Sequence, residues 1–232
     1  MPFQFGISTH QERLEKNMFS EKKYQVIEKA ISHELANFAL NYFLLKRDAV
    51  TWMHKNNYIS EFTPGFGTWK DKQIPNTYSC YSDMFMETLM MKVLPVMQHH
   101  TDLRLIPTYT YTRAYKKGDI LYRHKDRPSC EISTTIHLGG DPWSIFIDPT
   151  GADNILSGHE TTTVVKPNAP EGVEVQLGVG DMLVYSGCEL EHWRKPFEGN
   201  LCVQTFLHYN HADGRFAEKN KFDNRPMLGI PK

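Results

Sequence analysis

Two histidines and one aspartate in the second half of the chain have the residue types and spacing of metal ligands. His124 and Asp126 are separated by one residue, so in an extended strand their side chains point to the same side. His192 follows 66 residues after Asp126 and must be brought close by a different strand. Two imidazoles and one carboxylate on one face of Fe(II) leave three coordination positions open, as oxygen chemistry requires. The sequence therefore predicts a metal centre made of these three residues.

The H-x-D pattern is weak evidence by itself, because the chain contains a second copy at His211 and Asp213. That copy lies beside Gly214, and no later histidine could complete a triad, so it is typical of a turn with a capping aspartate. A non-functional interpretation also exists for His124, namely a surface histidine in a polar loop, because its neighbours are charged. The sequence on both sides of His124 is what favours the metal site.

The region around the proposed ligands is typical of a β-sandwich or jelly roll. A strand rich in threonine and tyrosine spans 107–115, and the turn at 116–119 leads into His124. Further runs of alternating apolar and polar residues are separated by turns that contain glycine or proline. These runs predict strands at 131–138, 142–148, 172–177, 182–185, 190–194 and 201–209.

The first hundred residues are different, because their apolar residues recur at helical spacing. A helix is predicted over 21–46, with the alternative that Ser32 caps a second helix after a break. Another long helix is predicted over 81–100, bent at Pro95, with its methionines packed in the core. The long loop over 59–78 is either a lid near the site or an ordered surface loop.

Composition favours a globular domain without a polyanion-binding surface. The 232 residues carry a formal net charge of −1, and 23% of them are charged. No apolar run approaches the length of a membrane span, which is about 20 residues. The four cysteines form no C-x-x-C pair, and residues 1–17 contain no signal-peptide core, so we expect reduced thiols in a cytoplasm.

A family resemblance is carried by two segments, RAYKKGDILYRHKDRPSCEIS at 113–133 and GDMLVYSGCELEHWRKPFEGNLCVQTFLHY at 180–209. They resemble the Fe(II)/2-oxoglutarate-dependent dioxygenases, and most of all the prolyl-4-hydroxylase-like branch found in bacteria and marine phages. The shared motifs are a Tyr-x-x-Gly element before the H-x-D and a strand with Gly-Asp before the distal histidine. The resemblance covers roughly residues 105–210.

The resemblance implies an α+β fold with a double-stranded β-helix (jelly-roll or cupin-like) core over 105–210. Helices within 1–104, together with the loop at 59–80, would pack on one face of this core. A C-terminal tail over 211–232 would complete a single domain spanning 1–232. The expected location is the cytoplasm of a bacterial cell or of a phage-infected host.

The same resemblance implies Fe(II), 2-oxoglutarate and O2 as reactants, with ascorbate as an accessory reductant. The implied reaction hydroxylates an unactivated C–H bond and releases succinate and CO2. The branch suggests a prolyl residue in a peptide or protein as the substrate, with a small molecule as the alternative. A nucleic-acid substrate is disfavoured, because no basic stripe accompanies Arg215.

The co-substrate contacts depart from the family pattern. Members usually carry a lysine or arginine about one strand-length after the distal histidine, where this chain has Cys202 and Val203. Because a buried carboxylate needs a partner, an arginine elsewhere must replace it. Arg194 ranks first among the candidates, with an exposed ion pair as its alternative role. The other predicted co-substrate contacts are Arg113, Arg127, Tyr115, His137 and Thr205, of which His137 is also interpretable as a satisfied core histidine.

Two other functional classes remain open from the sequence. A cupin-like module could bind a metal through the same ligands without oxidising anything, and the missing basic residue near Cys202 favours it. A structural β-sandwich is the other, if His124 and His192 never meet. For a proline-rich peptide, the aromatic candidates for a binding groove are Phe66, Trp69, Tyr78 and Trp193.

Overall fold

The fold is built mainly from antiparallel strands, with two long helices on one side. The computed structural model describes residues 18–159 and 161–231. In chain order the elements are β1 (Tyr24–Ile27), α1 (His33–Lys55), β2 (Tyr78–Tyr81), α2 (Met84–Thr101), β3 (Leu105–Lys116), β4 (Leu121–His124), β5 (Ile132–Gly140), β6 (Ile145–Ile147), β7 (Ile155–His159), β8 (Thr162–Val165), β9 (Val173–Val175), β10 (Met182–Ser186), β11 (His192–Arg194), β12 (Leu201–His211) and α3 (Ala217–Asn220).

The strands form two main sheets that face each other. The large sheet has the order β1-β10-β5-β12-β3-β2, and the small sheet has the order β4-β11-β6-β9. Every pairing in both sheets is antiparallel. β7 and β8 form a separate hairpin. In the second half of the chain the strands are divided between the two sheets. The two sheets enclose a space between them.

Alternation along the central strands separates two environments. On β5 and β12, the outward residues Ile136, Val203 and Leu207 belong to the main apolar cluster, together with Phe43 of α1 and Met90 of α2. The intervening residues face the small sheet and are largely polar. Because successive strand residues point to opposite sides, one strand supplies both the helix-covered core and the polar interior.

The N-terminal helix begins later than the continuous pattern over 21–46 predicts, so that boundary was wrong. Residues 24–27 form a strand that pairs with β10, placing Tyr24 opposite Tyr185. This pairing satisfies backbone groups at the edge of β10, and that tertiary contact outweighs the local helical spacing. The alternative is what the structure shows: the Ser32 side chain accepts a hydrogen bond from the Leu35 N–H at 3.1 Å and caps α1.

The second helix also starts later than predicted. Residues 78–81 pair with β3, and the helix begins after Asp83, whose carboxylate accepts hydrogen bonds from the backbone N–H groups of Phe85 and Met86. Pro95 lies inside the helix, as expected. The methionines divide between core and surface: Met86, Met90 and Met97 are buried, whereas Met84 and Met91 are exposed.

The last fifteen described residues fold back on the body of the protein instead of extending away from it. Arg225 donates to Glu87 on α2 at 2.6 Å, and both side chains are 2% exposed. Asp223 accepts hydrogen bonds from Arg127 and from Tyr81. The segment predicted as a C-terminal tail is therefore tied down by two ion pairs.

Three further expectations concern class and location. No helix in the described part of the chain is long and apolar enough to cross a membrane. All four cysteines are free thiols in the structure. The expectation of no signal peptide concerns residues 1–17, which lie outside the described residues.

The buried pair between Arg225 and Glu87 gives a stability prediction. Arg225→Ala leaves the Glu87 carboxylate buried and uncompensated, which should lower the free energy of unfolding by about 3–5 kcal/mol. Urea denaturation measures the change. Arg104→Ala, which removes an exposed pair with Asp213, is the matched control and should leave stability nearly unchanged. Equal effects of the two substitutions would contradict this role for the C-terminal segment.

Candidate active site

The three predicted metal ligands meet between the two sheets. In the pairing of β4 with β11, His192 lies directly opposite His124, and their ring centroids are 4.3 Å apart. Asp126 places Oδ1 3.7 Å from Nε2 of His124 and 3.6 Å from Nε2 of His192. The three candidate ligand atoms lie within 4.8 Å of one another. A structural sandwich in which the two histidines never meet is thereby excluded.

Both imidazoles are oriented for coordination through the same ring nitrogen. The Nδ1 of His124 lies 2.8 Å from the Tyr122 carbonyl oxygen, and the Nδ1 of His192 lies 3.0 Å from the Leu190 carbonyl oxygen. Since a carbonyl only accepts, each Nδ1 carries the proton and each Nε2 keeps its lone pair. Backbone contacts of this kind fix the tautomer and ring orientation of metal-binding histidines.

Asp126 is held by the polar interior of the large sheet. Ser133 donates to its Oδ2 at 2.8 Å, and its backbone N–H donates to the Gly187 carbonyl at 2.8 Å. A Cβ on Gly187 would lie 2.4 Å from Oδ2 of Asp126, so any side chain there would displace the carboxylate. His208 contacts Ser133 through Nδ1 at 2.9 Å and extends this support to β12. The remaining Oδ1 is the oxygen that faces the two histidines.

The protonation states of the site suit a divalent cation. Burial lowers the pKa of His124, and the neighbouring His192 lowers it further. Burial raises the pKa of Asp126, but His192 and His124 outweigh it and hold that pKa well below its usual range. Neutral imidazole and ionised carboxylate are the forms that bind metal, so the pKa shifts of His124 and Asp126 both favour the metal-binding form. The donor set, two nitrogens and one oxygen with an open side, fits Fe(II).

A cavity of about 200 Å³ opens beside the ligands. Its walls combine aromatic rings with a small number of polar groups, which is the usual character of a binding site. The residues that line it with the ligands are Asp71, Gln73, Tyr109, Tyr111, Arg113, Leu121, Ile145, Tyr185, Phe206 and His208. A wider groove of about 540 Å³ shares Gln73 and His124 with this cavity and continues past the β7–β8 hairpin.

Arg194 enters the same interior from the small sheet. It is 1% exposed, and its guanidinium reaches the Trp143 carbonyl and, at 3.5 Å, the Oγ1 of Thr135 on the large sheet. No carboxylate of the described residues pairs with it, and its Nε has no hydrogen-bond partner. Burial lowers the pKa of Arg194, although Tyr115 opposes the shift. An unpaired buried cation is costly, so this position suits an anion.

Tyr115 lies near the guanidiniums of both Arg194 and Arg113, and these three side chains are named here the anion-binding corner. The Tyr115 hydroxyl is fully buried without a hydrogen-bond partner, and the Nε of Arg113 is also unpartnered. Burial raises the pKa of Tyr115, while the guanidiniums of Arg113 and Arg194 lower it, so both positive charges act on the phenol. Arg194, Arg113 and Tyr115, all three predicted from the sequence as co-substrate contacts, therefore each have a buried polar atom without a hydrogen-bond partner.

The other three predicted contacts have different surroundings. Arg127 forms a bidentate ion pair with Asp223 at 2.7 and 2.9 Å, so its guanidinium is engaged by the C-terminal segment. Thr205 points to the helix-covered side of the large sheet and bonds to Thr112 at 2.8 Å, because the inward positions of β12 are the even-numbered ones. His137 does face inward and contacts the Gln204 amide at 3.0 Å.

The aromatic residues proposed for a peptide groove do not assemble into one. The Trp69 and Tyr78 rings are tilted against each other with centroids 4.7 Å apart, and the backbone carbonyl of Phe66 accepts a hydrogen bond from the Tyr78 hydroxyl. Tyr78 belongs to the main apolar cluster, and Phe66 and Trp69 pack against that cluster. Trp193 lies on the small sheet under Arg123. In the second H-x-D, His211 is the last residue of β12 and Asp213 lies exposed in the turn that follows.

Sequence reasoning missed several residues of the site, among them Ser133, His208, Asp71 and Gln73. Ser133 and His208 occupy inward positions of strands that were predicted, so strict alternation from His137 would have found Ser133. Asp71 and Gln73 belong to the long loop, where no periodicity indicates which side chain faces the cavity.

The fold is shared with several solved structures. A prolyl-4-hydroxylase from Pseudomonas putida superposes with a TM-score of 0.55 at 12% identity, covering 86% of this chain and 98% of that one. HygX from Streptomyces hygroscopicus, solved with nickel and 2-oxoglutarate, gives 0.53 at 14% identity, covering 90% and 89%. EctD from S. alaskensis, solved with 2-oxoglutarate and 5-hydroxyectoine, gives 0.59 at 14% identity, covering 98% and 88%. At these identities the similarity establishes a common fold.

No protein-family model and no curated protein matches the chain.

The triad predicts which histidine is required for metal binding. His192→Ala removes one of three ligands and should weaken Co(II) affinity by at least about 100-fold, with Co(II) serving as a spectroscopic stand-in for Fe(II). Titration followed by visible absorption measures it. His211→Ala, in the other H-x-D, is the control and should bind Co(II) as the unaltered protein does. Loss of affinity in the control alone would place the metal elsewhere.

Proposed function

We propose that this protein is an Fe(II)- and 2-oxoglutarate-dependent dioxygenase that hydroxylates an unactivated C–H bond. The proposal rests on the presence of a metal triad and an unpaired buried cation between the same two sheets. A His-Asp-His triad faces the cavity, and the unpaired guanidinium of Arg194 lies buried with Tyr115 between the same two sheets. A 2-oxo acid with a second carboxylate has one group for each site.

The chain's contribution is to bind, orient and exclude water. Fe(II), once bound with 2-oxoglutarate and O2, supplies the oxidising chemistry that ends in a hydroxylated product, succinate and CO2. His124, Asp126 and His192 would hold the iron, while Arg194 and Tyr115 would hold the distal carboxylate through charge-assisted hydrogen bonds. Leu121, Ile145 and Phe206 supply apolar parts of the cavity wall beside the ligands.

Arg194 also answers the main sequence argument for a metal-binding module without oxidation. That argument rested on Cys202 occupying the place where related enzymes carry a basic residue. Cys202 is buried on β12 and Arg194 reaches across from β11, and burial of Cys202 raises its pKa while Arg194 lowers it. The cation can therefore come from the facing sheet.

We also propose a double-stranded β-helix core and a single domain for the whole chain. The eight strands β3 to β6 and β9 to β12 would form a double-stranded β-helix, since β10, β5, β12 and β3 run side by side opposite β4, β11, β6 and β9. The whole chain would act as one domain. Support comes from the main apolar cluster, which joins Phe19 and both long helices to Tyr209 at the end of the core.

For the substrate we propose a prolyl residue within a peptide or protein. The groove of about 540 Å³ that continues from the cavity offers room for chain on both sides of a reacting residue. Its charged members are already neutralised: Arg123 pairs with Asp148 and Glu191, and Lys125 pairs with Asp153. A neutral segment such as a proline-containing peptide suits it better than a polyanion.

The test of this function is 2-oxoglutarate turnover. Protein supplied with Fe(II), ascorbate, O2 and a panel of proline-containing peptides should form succinate, and one peptide should gain a single oxygen atom by mass spectrometry. His124→Ala should form neither product. Succinate formation that persists in His124→Ala would refute the role of the triad.

Arg194 gives a prediction about co-substrate affinity. Arg194→Ala should raise the dissociation constant of 2-oxoglutarate in the Mn(II)-loaded protein by about 100-fold, because a buried carboxylate loses its charged partner. Oxalate, which chelates the metal but has no distal carboxylate, should bind both proteins equally. Calorimetry measures both ligands.

Arg127→Ala is the matched control, since Asp223 already engages that guanidinium. Unchanged 2-oxoglutarate affinity in Arg194→Ala would remove Arg194 from the co-substrate site.

A further inference from the structure

Part of the long loop is built into the interior of the site. Ile74 is 1% exposed and packs in an apolar cluster with Tyr115 and Phe206. At the far end of this stretch the Thr77 hydroxyl donates to Asp119 at 2.6 Å. Residues 71–77, named here the inner segment, are therefore anchored in the protein, and two of them, Asp71 and Gln73, line the cavity.

Gln73 brings a carboxamide to the metal-binding nitrogen. Its Nε2 lies 3.5 Å from the Nε2 of His124, the atom that faces Asp126. Its backbone N–H donates to Oδ1 of Asp71 at 2.7 Å. The position of Gln73 beside the metal centre is thus set locally by the Asp71 carboxylate. A carboxamide offers both a donor and an acceptor to a molecule bound next to the metal.

Asp71 is in turn held by residues of β3. Arg113 donates to its Oδ2 at 2.6 Å, and the Tyr111 hydroxyl donates to the same oxygen. Burial raises the pKa of Asp71, but Arg113 and Tyr111 outweigh it and leave the pKa below its ordinary value, so the carboxylate is ionised at neutral pH. The side chains of Asp71 and Arg113 are 15% and 6% exposed, which keeps the pair largely out of water.

The guanidinium of Arg113 lies between Asp71 and the rest of the anion-binding corner. One terminal nitrogen holds Asp71, while its Nε is buried without a partner in the anion-binding corner with Tyr115 and Arg194. A guanidinium is planar and rigid, so a ligand that accepts from Nε also fixes the direction of the terminal N–H groups. Whatever occupies the anion-binding corner therefore acts on Asp71 through one side chain.

We infer that Asp71 is a positioning residue that couples occupation of the anion-binding corner to the placement of Gln73 beside the metal. A distal carboxylate bound there would order Arg113, Arg113 would order Asp71, and Asp71 would hold the Gln73 backbone. The inference rests on the proposed function, since it takes 2-oxoglutarate as the ligand. Its consequence is that co-substrate binding would strengthen the contacts that already hold Gln73 beside the metal centre.

Amide hydrogen exchange of the inner segment tests the coupling without turnover. Protein loaded with Mn(II) under anaerobic conditions is saturated either with 2-oxoglutarate or with oxalate, and peptides covering 71–77 are followed by mass spectrometry. Both ligands chelate the metal, but only 2-oxoglutarate reaches the anion-binding corner. We expect exchange to be about tenfold slower with 2-oxoglutarate than with oxalate.

Two variants separate coupling from simple support of the loop. Asp71→Asn keeps an acceptor for the Gln73 N–H but loses the charge that Arg113 holds, so the difference between the ligands should disappear. Thr77→Val loosens the same segment at its other end, and should speed exchange with both ligands while leaving their ratio unchanged. Arg113→Lys removes the Nε donor and should also abolish the difference, which keeps the test decisive if Asp71→Asn does not fold.

The outcomes also distinguish this inference from the proposed function. If 2-oxoglutarate binds the Mn(II) protein but slows exchange no more than oxalate does, the coupling is wrong and the dioxygenase proposal stands. A ligand-specific effect that survives in Asp71→Asn has the same meaning. If 2-oxoglutarate fails to bind the metal-loaded protein, both the function and the coupling are contradicted.

Discussion

The antiparallel pairing of β4 with β11 is the constraint on which the site depends. It sets His124 and His192 opposite each other although 67 residues separate them in the chain. Because the two strands belong to the small sheet, their inward side chains necessarily face the polar positions of the large sheet, where Ser133 holds Asp126. A shift of one residue in this pairing would turn the histidines away from the cavity.

Ion pairing separates Arg194 from the other buried arginines of the described chain. Arg123, Arg113 and Arg225 are each buried, and each meets at least one carboxylate at 2.7 Å or less. Arg194 is as deeply buried, yet no described carboxylate pairs with it. Since each of the other three buried arginines has a carboxylate partner, the exception indicates a place where a ligand supplies the negative charge.

Much of the site could be predicted from the sequence because strands impose strict alternation. The inward direction of His137 and the +2 offset of Arg194 from His192 follow from a period of two. The H-x-D aspartate does not, because β4 ends at His124 and Asp126 lies two residues beyond it. Thr205 was misjudged because its face depends on the register of β12, which alternation alone does not fix. Residues 24–27 were assigned to a helix because pairing with β10, a contact distant in sequence, determines their conformation.

The loop residues could not be predicted for a different reason. Asp71 and Gln73 reach the cavity because Ile74 and Thr77 anchor the chain between the sheets, and neither contact leaves a periodic pattern in the sequence. The engagement of Arg127 by Asp223 likewise depends on a C-terminal segment that returns to the core from 96 residues away. Such contacts follow from the tertiary fold and become visible only with it.

We propose that one ligand bridges the metal triad and the guanidinium of Arg194. An anaerobic titration of the metal-free protein, first with Fe(II) and then with 2-oxoglutarate, tests it by visible absorption. The account predicts a weak charge-transfer band that requires both additions, is absent in His124→Ala, and needs far more 2-oxoglutarate in Arg194→Ala. Iron binding without any such band would contradict it, and a metal-binding module without oxygenase activity would then explain the triad.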